Sequence, residues 1–238
     1  MSNIAKAIAK EKEYLSYRRK GKEPFHLVDA VKECGFDNLD NYFKAKTEHT
    51  FNSLKFSFVE KKPSECIDYF FTMMNTKDTG VVFIDSDETF VFSGESKPYN
   101  AEFCEANNIP IYPLYTKGGA IVSTEGDFSI GICFPEYVGV DVFFILSHLK
   151  SIFGKYMDGV TVNGNDLLVN GEKICGSIMY HQNGMNCFAC HFSFKDNSEL
   201  IEKICNISGS IKTPTYISGL TVASFKEELR KWLNINNT

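Results

Sequence analysis

The spacing of apolar residues changes character along this chain, and each change marks an element. Ile4, Ile8 and Leu15 recur at helical spacing until Lys20-Gly21-Lys22 interrupts them ahead of Pro24. A second helix is predicted over Leu27 to Glu33, with Gly35 as its C-terminal cap, and a third over Leu39 to Lys46. From Phe51 the period shortens to two, and Leu54, Phe56 and Phe58 read as the first strand of a new domain. Pro63-Ser64 then opens a helix that places Ile67, Phe70, Phe71 and Met74 on one face. Strands are predicted at Gly80 to Ile84 and Thr89 to Ser93.

The second half of the chain alternates in the same way. Ala120 to Val122 and Phe128 to Phe134 read as strands joined by a Glu125-Gly126-Asp127 turn, with Gly118-Gly119 ahead of the first. Residues 138 to 156 suggest a helix whose apolar side carries Val140, Phe143, Phe144, Leu146 and Leu149. Asn186 to Phe194 reads as a strand, followed by a Lys195 to Ser198 turn and a short helix at Glu199 to Cys205. A last helix is expected with Ser224 as cap, Glu227 completing a capping box, and Phe225, Leu229, Trp232 and Leu233 facing inward. The pattern divides the chain into a helical N-terminal extension, residues 1–50, and an α/β domain, residues 51–238.

Composition narrows the functional classes. An apolar content of 43% and an aromatic content of 14% across 238 residues supply a sizeable core. The formal charge of -5 gives no electrostatic reason to expect nucleic acid. LVDAVKECGFDNLDNYF, from Leu27, has some helix-turn-helix character, but acidic and basic residues nearly cancel there, and a phosphate reader needs clustered cations. The start MSNIAKAIAKEKEY lacks the apolar core of an export signal, and no apolar run is long enough to span a bilayer. The eight cysteines lie mostly in apolar surroundings, so they are expected to be reduced core residues of a cytoplasmic protein.

Candidate chemistry concentrates between Asp158 and Tyr180. Val160 to Val162 and Leu167 to Val169 flank Asn163-Gly164-Asn165-Asp166, and Asn170-Gly171 opens a second turn before Lys173. These residues serve equally as two solvated turns or as a convergence of amide, carboxylate and ammonium on one pocket. A phosphate-bearing ligand uses that mixture, with lysine on the oxyanion, carboxylate on magnesium and amide for orientation.

Gly164-Asn165-Asp166-Leu167, followed by Gly171-Glu172-Lys173-Ile174-Cys175-Gly176-Ser177, resembles the GRNDL and KISGSA signature of the lipoate-protein ligase A family, within the biotin/lipoate ligase superfamily. The Arg before Asn is missing, and Cys175 replaces a small residue. Further upstream, Lys117-Gly118-Gly119-Ala120-Ile121-Val122 resembles the second half of the family's RRxSGGGAVYHD element. The paired Arg positions fall near Pro113 and Leu114, and the His near Ser123. Leucine cannot replace an arginine that holds a phosphate or carboxylate, which leaves Lys117 as the neighbouring source of charge.

The resemblance covers nearly all of residues 51–238 and none of the extension. It implies a mixed, largely antiparallel sheet flanked by helices, the class II synthetase-like catalytic fold of biotin/lipoate ligases. It also implies lipoate or octanoate as substrate, ATP and Mg²⁺, an acyl-adenylate, and transfer to a lysine of a lipoyl-domain acceptor, either a 2-oxoacid dehydrogenase subunit or a glycine cleavage H protein. Lys173 is then the catalytic residue. Asp166 would bind magnesium or the acceptor lysine and Asn165 would orient the adenylate, while Lys117, Gly118, Gly119, Ala120, Gly176 and Ser177 complete the binding set. The chain closes soon after Leu233, without the small C-terminal domain many relatives carry, so an accessory subunit is a further expected partner. Two alternatives stay open: an octanoyl/lipoyl transferase that skips adenylation, and a non-catalytic relative that binds an acyl or nucleotide ligand.

Other signals are weaker. Cys187-Phe188-Ala189-Cys190-His191 spells a haem-attachment pattern, but on a strand the two cysteines would point to opposite faces, and no second ligand pair supports zinc. No nucleophile elbow occurs. Cys175 and Cys190 are the candidates for a thioester-forming cysteine by their proximity to Lys173.

Overall fold

The computed structural model describes residues 2–22, 25–95, 99–114, 119–205, 217 and 219–234, and the chain forms two compact units. The first comprises Met1–Leu54 with Val138–Val140. Its helices are α1 (Asn3–Arg19), α2 (Leu27–Glu33) and α3 (Leu39–Asn52). Ser2 and Asn38 cap α1 and α3 through their side chains. Ala7, Val31, Cys34 and Tyr42 form the core. Glu11 is buried there because Tyr42 donates to its carboxylate at 2.7 Å and Lys46 approaches at 2.5 Å. Burial, then the Glu11 carboxylate, pushes the Tyr42 phenol well above its ordinary value.

The second unit, Lys55–Tyr137 with Asp141–Thr238, is built on a seven-stranded sheet in the order β1-β2-β6-β10-β9-β8-β7. Its strands are β1 (Ser57–Glu60), β2 (Gly80–Asp85), β6 (Phe128–Pro135), β7 (Val160–Asn163), β8 (Asp166–Val169), β9 (Glu172–Gln182) and β10 (Met185–Phe192). Only the β1/β2 pair is parallel; the other neighbours run antiparallel, as the sequence leads one to expect. Tight turns set the register of the last four strands. Asn170-Gly171 and Asn183-Gly184 both hold positive φ at each position, the two-residue loop that matches strand twist. A three-stranded sheet, β4-β3-β5, is formed by β3 (Phe90–Ser93), β4 (Ile111–Pro113) and β5 (Ala120–Ser123).

Alternation along β10 divides the large sheet's two faces. Cys187 joins Cys66, Phe70, Met73 and Met74 of α4 (Pro63–Thr76) on one side. Phe192 meets Phe153 of α6 (Val142–Phe153) and Phe225 of α8 (Val222–Leu233) at ring-centroid distances of 5.3 Å and 4.9 Å on the other. Lys226 on α8 is buried over the rings of Phe83 and Phe128, and its ammonium is satisfied by Glu60 at 3.1 Å and Asp85 at 2.5 Å. The small sheet shares a core with α5 (Ala101–Ala106) and α7 (Ser198–Cys205), formed by Val91, Cys104, Val122, Ile201 and Ile204.

Several boundaries differ from the pattern of the sequence. α3 continues through Asn52, since Phe51 is a buried helical residue, so the first strand begins only at Ser57. The predicted helix over 138–156 is shorter, and Phe143 is 62% exposed on its outer side. Thr221, whose hydroxyl accepts from Ser224 N at 3.2 Å, caps α8 in place of Ser224. α5 and β4 carry no apolar period strong enough to reveal them beforehand.

A candidate acyl-binding site on the large sheet

On the face of the sheet shared with α4, a cavity of about 780 Å³ opens within the second unit. Sheet register explains its floor. Ile84, Ser129, His191, Gly176, Asp166 and Asn163 stand side by side across β2, β6, β10, β9, β8 and β7. All of them line the cavity. Two positions along, Ile178 and Ala189 pair on the same face and continue the floor as an apolar strip toward Phe70 and Ile67 of α4. Gly131 extends that strip; a Cβ there would collide with the Phe70 ring, so glycine allows α4 to lie close.

Lys173 reaches this face through an irregularity. It lies three residues before Gly176, and in a regular strand the two would face opposite sides. The ladder slips between Leu167 and Leu168, so that Leu168 pairs with Lys173 while Asp166 pairs with Gly176. Asp166 and Leu168 share a face, and the bulge therefore brings Lys173 onto the face of Gly176. There Lys173 Nζ meets Asp166 Oδ1 at 2.9 Å, both side chains about one third exposed. A Cβ on Gly176 would sit 2.9 Å from that ammonium, which fills the space this glycine leaves.

Of the residues singled out from the sequence, Lys173, Asp166, Asn165, Gly176, Ser177, Gly119 and Ala120 line this cavity together. Asn165 anchors the hairpin with its backbone carbonyl, which accepts from Ser177 N at 2.9 Å and Ser177 Oγ at 2.8 Å. Lys117 and Gly118 lie outside the described residues. Leu114 stands at the cavity wall and Pro113 ends β4, so neither supplies a cation, and Lys173 is the cationic side chain among the described lining residues. Ser123 is fully buried against Ser86, hydroxyl to hydroxyl at 2.5 Å. Both candidate nucleophilic cysteines are buried, and burial pushes the Cys190 thiol well above its ordinary value, so it is not a ready thiolate. Among the described residues no cluster of His, Cys, Asp or Glu is arranged to hold a metal ion, which removes the zinc reading of Cys187, Cys190 and His191.

Sequence reasoning missed a second polar group in the cavity. His191 Nδ1 lies 2.9 Å from Ser129 Oγ, while Nε2 has no hydrogen-bond partner and stands 3.8 Å from Asp127 Oδ2. Burial lowers His191 to about 4, so the ring is neutral at neutral pH. Asp127 is a structural hub: it accepts from Thr124 N and Oγ1, Phe194 N and Asn197 Nδ2 at 2.8 to 3.1 Å. Burial raises its carboxyl. The Cys-Phe-Ala-Cys-His run drew attention to His191 for another chemistry; only the register reveals Ser129 and Gly176 as its neighbours.

No protein-family model and no curated protein sequence matches this chain. Solved structures do. The P. falciparum protein LipL1 in complex with lipoate superimposes with a TM-score of 0.65 at 11% identity, over 76% of this chain and 59% of that one. This chain therefore spans well under two thirds of that protein's length. The bi-partite lipoate protein ligase of Thermoplasma acidophilum, studied with its E2 lipoyl domain, gives 0.62 at 10% identity, covering 76% of this chain and 83% of that one. Lipoate-protein ligase A bound with ATP gives 0.60 at 13% identity, covering 76% and 85%. The mixed sheet with flanking helices is thus the catalytic fold of biotin and lipoate ligases.

Proposed function

We propose that this chain binds a short-chain acid in the α4-side cavity and attaches it to a lysine of a lipoyl-domain protein, as a lipoate-protein ligase does. One observation carries the reading: a Lys173–Asp166 pair at 2.9 Å adjoins an apolar strip of Ile178 and Ala189 beneath Phe70. A charged group beside an apolar groove suits a carboxylate head on a hydrocarbon chain, with lipoate or octanoate as the substrate class. Lysines of this kind stabilise oxygens whose charge grows in the transition state.

In the proposed reaction the acid's carboxylate displaces pyrophosphate from ATP to give an acyl-adenylate. The acceptor lysine amine then displaces AMP and leaves an amide. Lys173 would hold the acyl carbonyl and α-phosphate oxygens, and Asn165, Ser177 and the Gly119-Ala120 backbone would orient the adenylate. Lys117 and Gly118 complete the proposed set. Asp166 offers one carboxylate oxygen beyond the one committed to Lys173. A magnesium ion there would draw most of its coordination from phosphates and water, a donor set this metal accepts. The proposed acceptors are a 2-oxoacid dehydrogenase subunit or glycine cleavage H protein in the cytoplasm, with nucleic acid and membrane outside the role. The helical unit would act as a cap or docking appendage, and an accessory subunit is a further proposed partner; the T. acidophilum ligase is itself bi-partite.

A second reading, transfer from a preformed acyl donor, is favoured by the absence of a second cation among the described lining residues. A thioester on Cys190 is not the route, given its burial and raised thiol. Calorimetry of the full chain with lipoate, octanoate, biotin and ATP in turn tests the binding, and a gel shift of a lipoyl domain tests the transfer. Failure of every acid to bind at millimolar concentration would sink the reading.

A further inference from the structure

Two polar atoms in the cavity stand apart from the Lys173–Asp166 pair and share an unusual condition. His191 Nε2 and Ser193 Oγ are both buried, at 8% and 2% residue exposure, both belong to residues lining the cavity, and neither has a hydrogen-bond partner in the protein. Buried polar groups are nearly always satisfied, and groups left open in a cavity wall are satisfied by what enters the cavity. The two residues are spaced i, i+2 along one chain segment, so they emerge on the same side. Asp127 does not serve them, because its oxygens are already committed to Thr124, Phe194 and Asn197.

The charge beside the site defines what it accepts. Ser129 Oγ occupies Nδ1, and the Asp127 carboxylate 3.8 Å from Nε2 favours the tautomer with the proton on Nε2. The imidazole then presents an N–H donor. The same carboxylate repels an anion, and His191 stays neutral, so a ligand carboxylate or phosphate is disfavoured here and belongs at Lys173. An uncharged oxygen fits: a hydroxyl, amide or ureido group, accepting from Nε2–H and exchanging a hydrogen bond with Ser193 Oγ.

We infer that His191 and Ser193 form a second recognition point that reads an uncharged hydrogen-bonding group on the acid whose carboxylate is held at Lys173. This rests on the acid-binding reading above and sharpens its substrate class: an acid bearing such a group is preferred over a plain hydrocarbon chain. A saturated chain lying against His191 Nε2 would shield it from water and offer nothing in return, whereas a carbonyl or hydroxyl satisfies it.

The test is calorimetry of the full chain with octanoate, 8-hydroxyoctanoate and biotin, the last carrying a ureido group. At least one of the two functionalised acids is expected to bind ten times more tightly than octanoate or better. His191→Leu should reduce that preference at least tenfold, His191→Gln, which retains an N–H donor, should keep part of it, and Ser193→Ala, which hardly perturbs volume, should reduce it severalfold. Thermal melts confirm that each variant is folded. If octanoate binds the wild type and neither functionalised acid is preferred, or if His191→Leu and Ser193→Ala both leave the preference intact, the inference is overturned while acid binding stands. If no acid binds the wild type, the acid-binding reading falls, and the inference with it.

Discussion

Lys173 and Asp166 meet across a β-bulge: the ladder slips between Leu167 and Leu168, and the slip carries the Lys173 ammonium to 2.9 Å from Asp166 Oδ1, over Gly176. Bulges re-aim side chains at the cost of local pairing, and here the re-aimed side chain is the cation of the cavity. The pair is partly exposed, so it contributes little to stability. Its position beside the apolar strip is what matters for ligand binding.

Lys173→Ala should therefore abolish transfer while leaving the fold intact. Losing a charged partner for a developing oxyanion costs roughly a hundredfold or more in rate. Lipoylation of a carrier domain, followed by gel shift with matched melting curves, measures both properties at once. Activity within about tenfold of wild type would sink the assignment.

Gly176→Ala tests the same geometry without touching the lysine. The new Cβ would meet Lys173 Nζ at 2.9 Å and Cε at 3.0 Å, contacts too short to persist. The lysine side chain is flexible and part-exposed, so it should swing away at little cost in stability. Transfer should drop by about tenfold or more with a melting temperature within a few degrees of wild type. Unchanged activity would mean that the position of the ammonium over Gly176 is not the working one.

Local signals in the sequence translated directly into this part of the fold. Asn163-Gly164 and Asn170-Gly171 became two-residue hairpin loops, and the alternation around them became β7, β8 and β9, because these turns need positive φ that Gly and Asn supply. What lay between distant segments was not legible. His191 and Ser129 are 62 residues apart and meet only through sheet register. The Lys173 bulge leaves no compositional mark, so spacing alone would have put Lys173 and Gly176 on opposite faces. The cap of α8 was misread for a similar reason: Thr221 and Ser224 are both competent caps, and backbone position chose between them.

The pH dependence of stability should report His191. Its folded value of about 4 lies below the ordinary 6.5, so between those limits the unfolded chain binds a proton that the native state refuses. The associated stability is fully present above pH 6.5 and is lost as pH falls toward 4, a contribution on the order of 3 kcal/mol at most. Asp127 acts in the opposite sense, since its raised carboxyl takes up its proton more readily in the folded state. Asp127 is retained in His191→Leu, so comparing the two proteins isolates the histidine to a first approximation. Urea melts of both at pH 7, 5.5 and 4.5 should show the wild type losing stability faster than the variant. Parallel curves would place a compensating charge on the native imidazole and contradict its neutral state.

Adenylation by the isolated chain should be poor, and the reason lies in charge. Pro113 ends β4 and Leu114 lies at the cavity wall, where the resembling family places its arginine pair, and the Lys173 charge is already matched by Asp166. Departure of pyrophosphate concentrates negative charge that cations or a metal ion must offset. With one cation among the described lining residues, that step is under-supplied unless a partner subunit or a preformed acyl donor takes its place. Two assays separate the possibilities: pyrophosphate release from ATP with lipoate, and lipoyl transfer from chemically made lipoyl-AMP to a carrier domain. The expected result is transfer from lipoyl-AMP with little release from ATP. Release at about one turnover per second or faster would show that the charge deficit does not limit the enzyme. Failure of both reactions would favour a protein that binds an acyl or nucleotide ligand without transferring it.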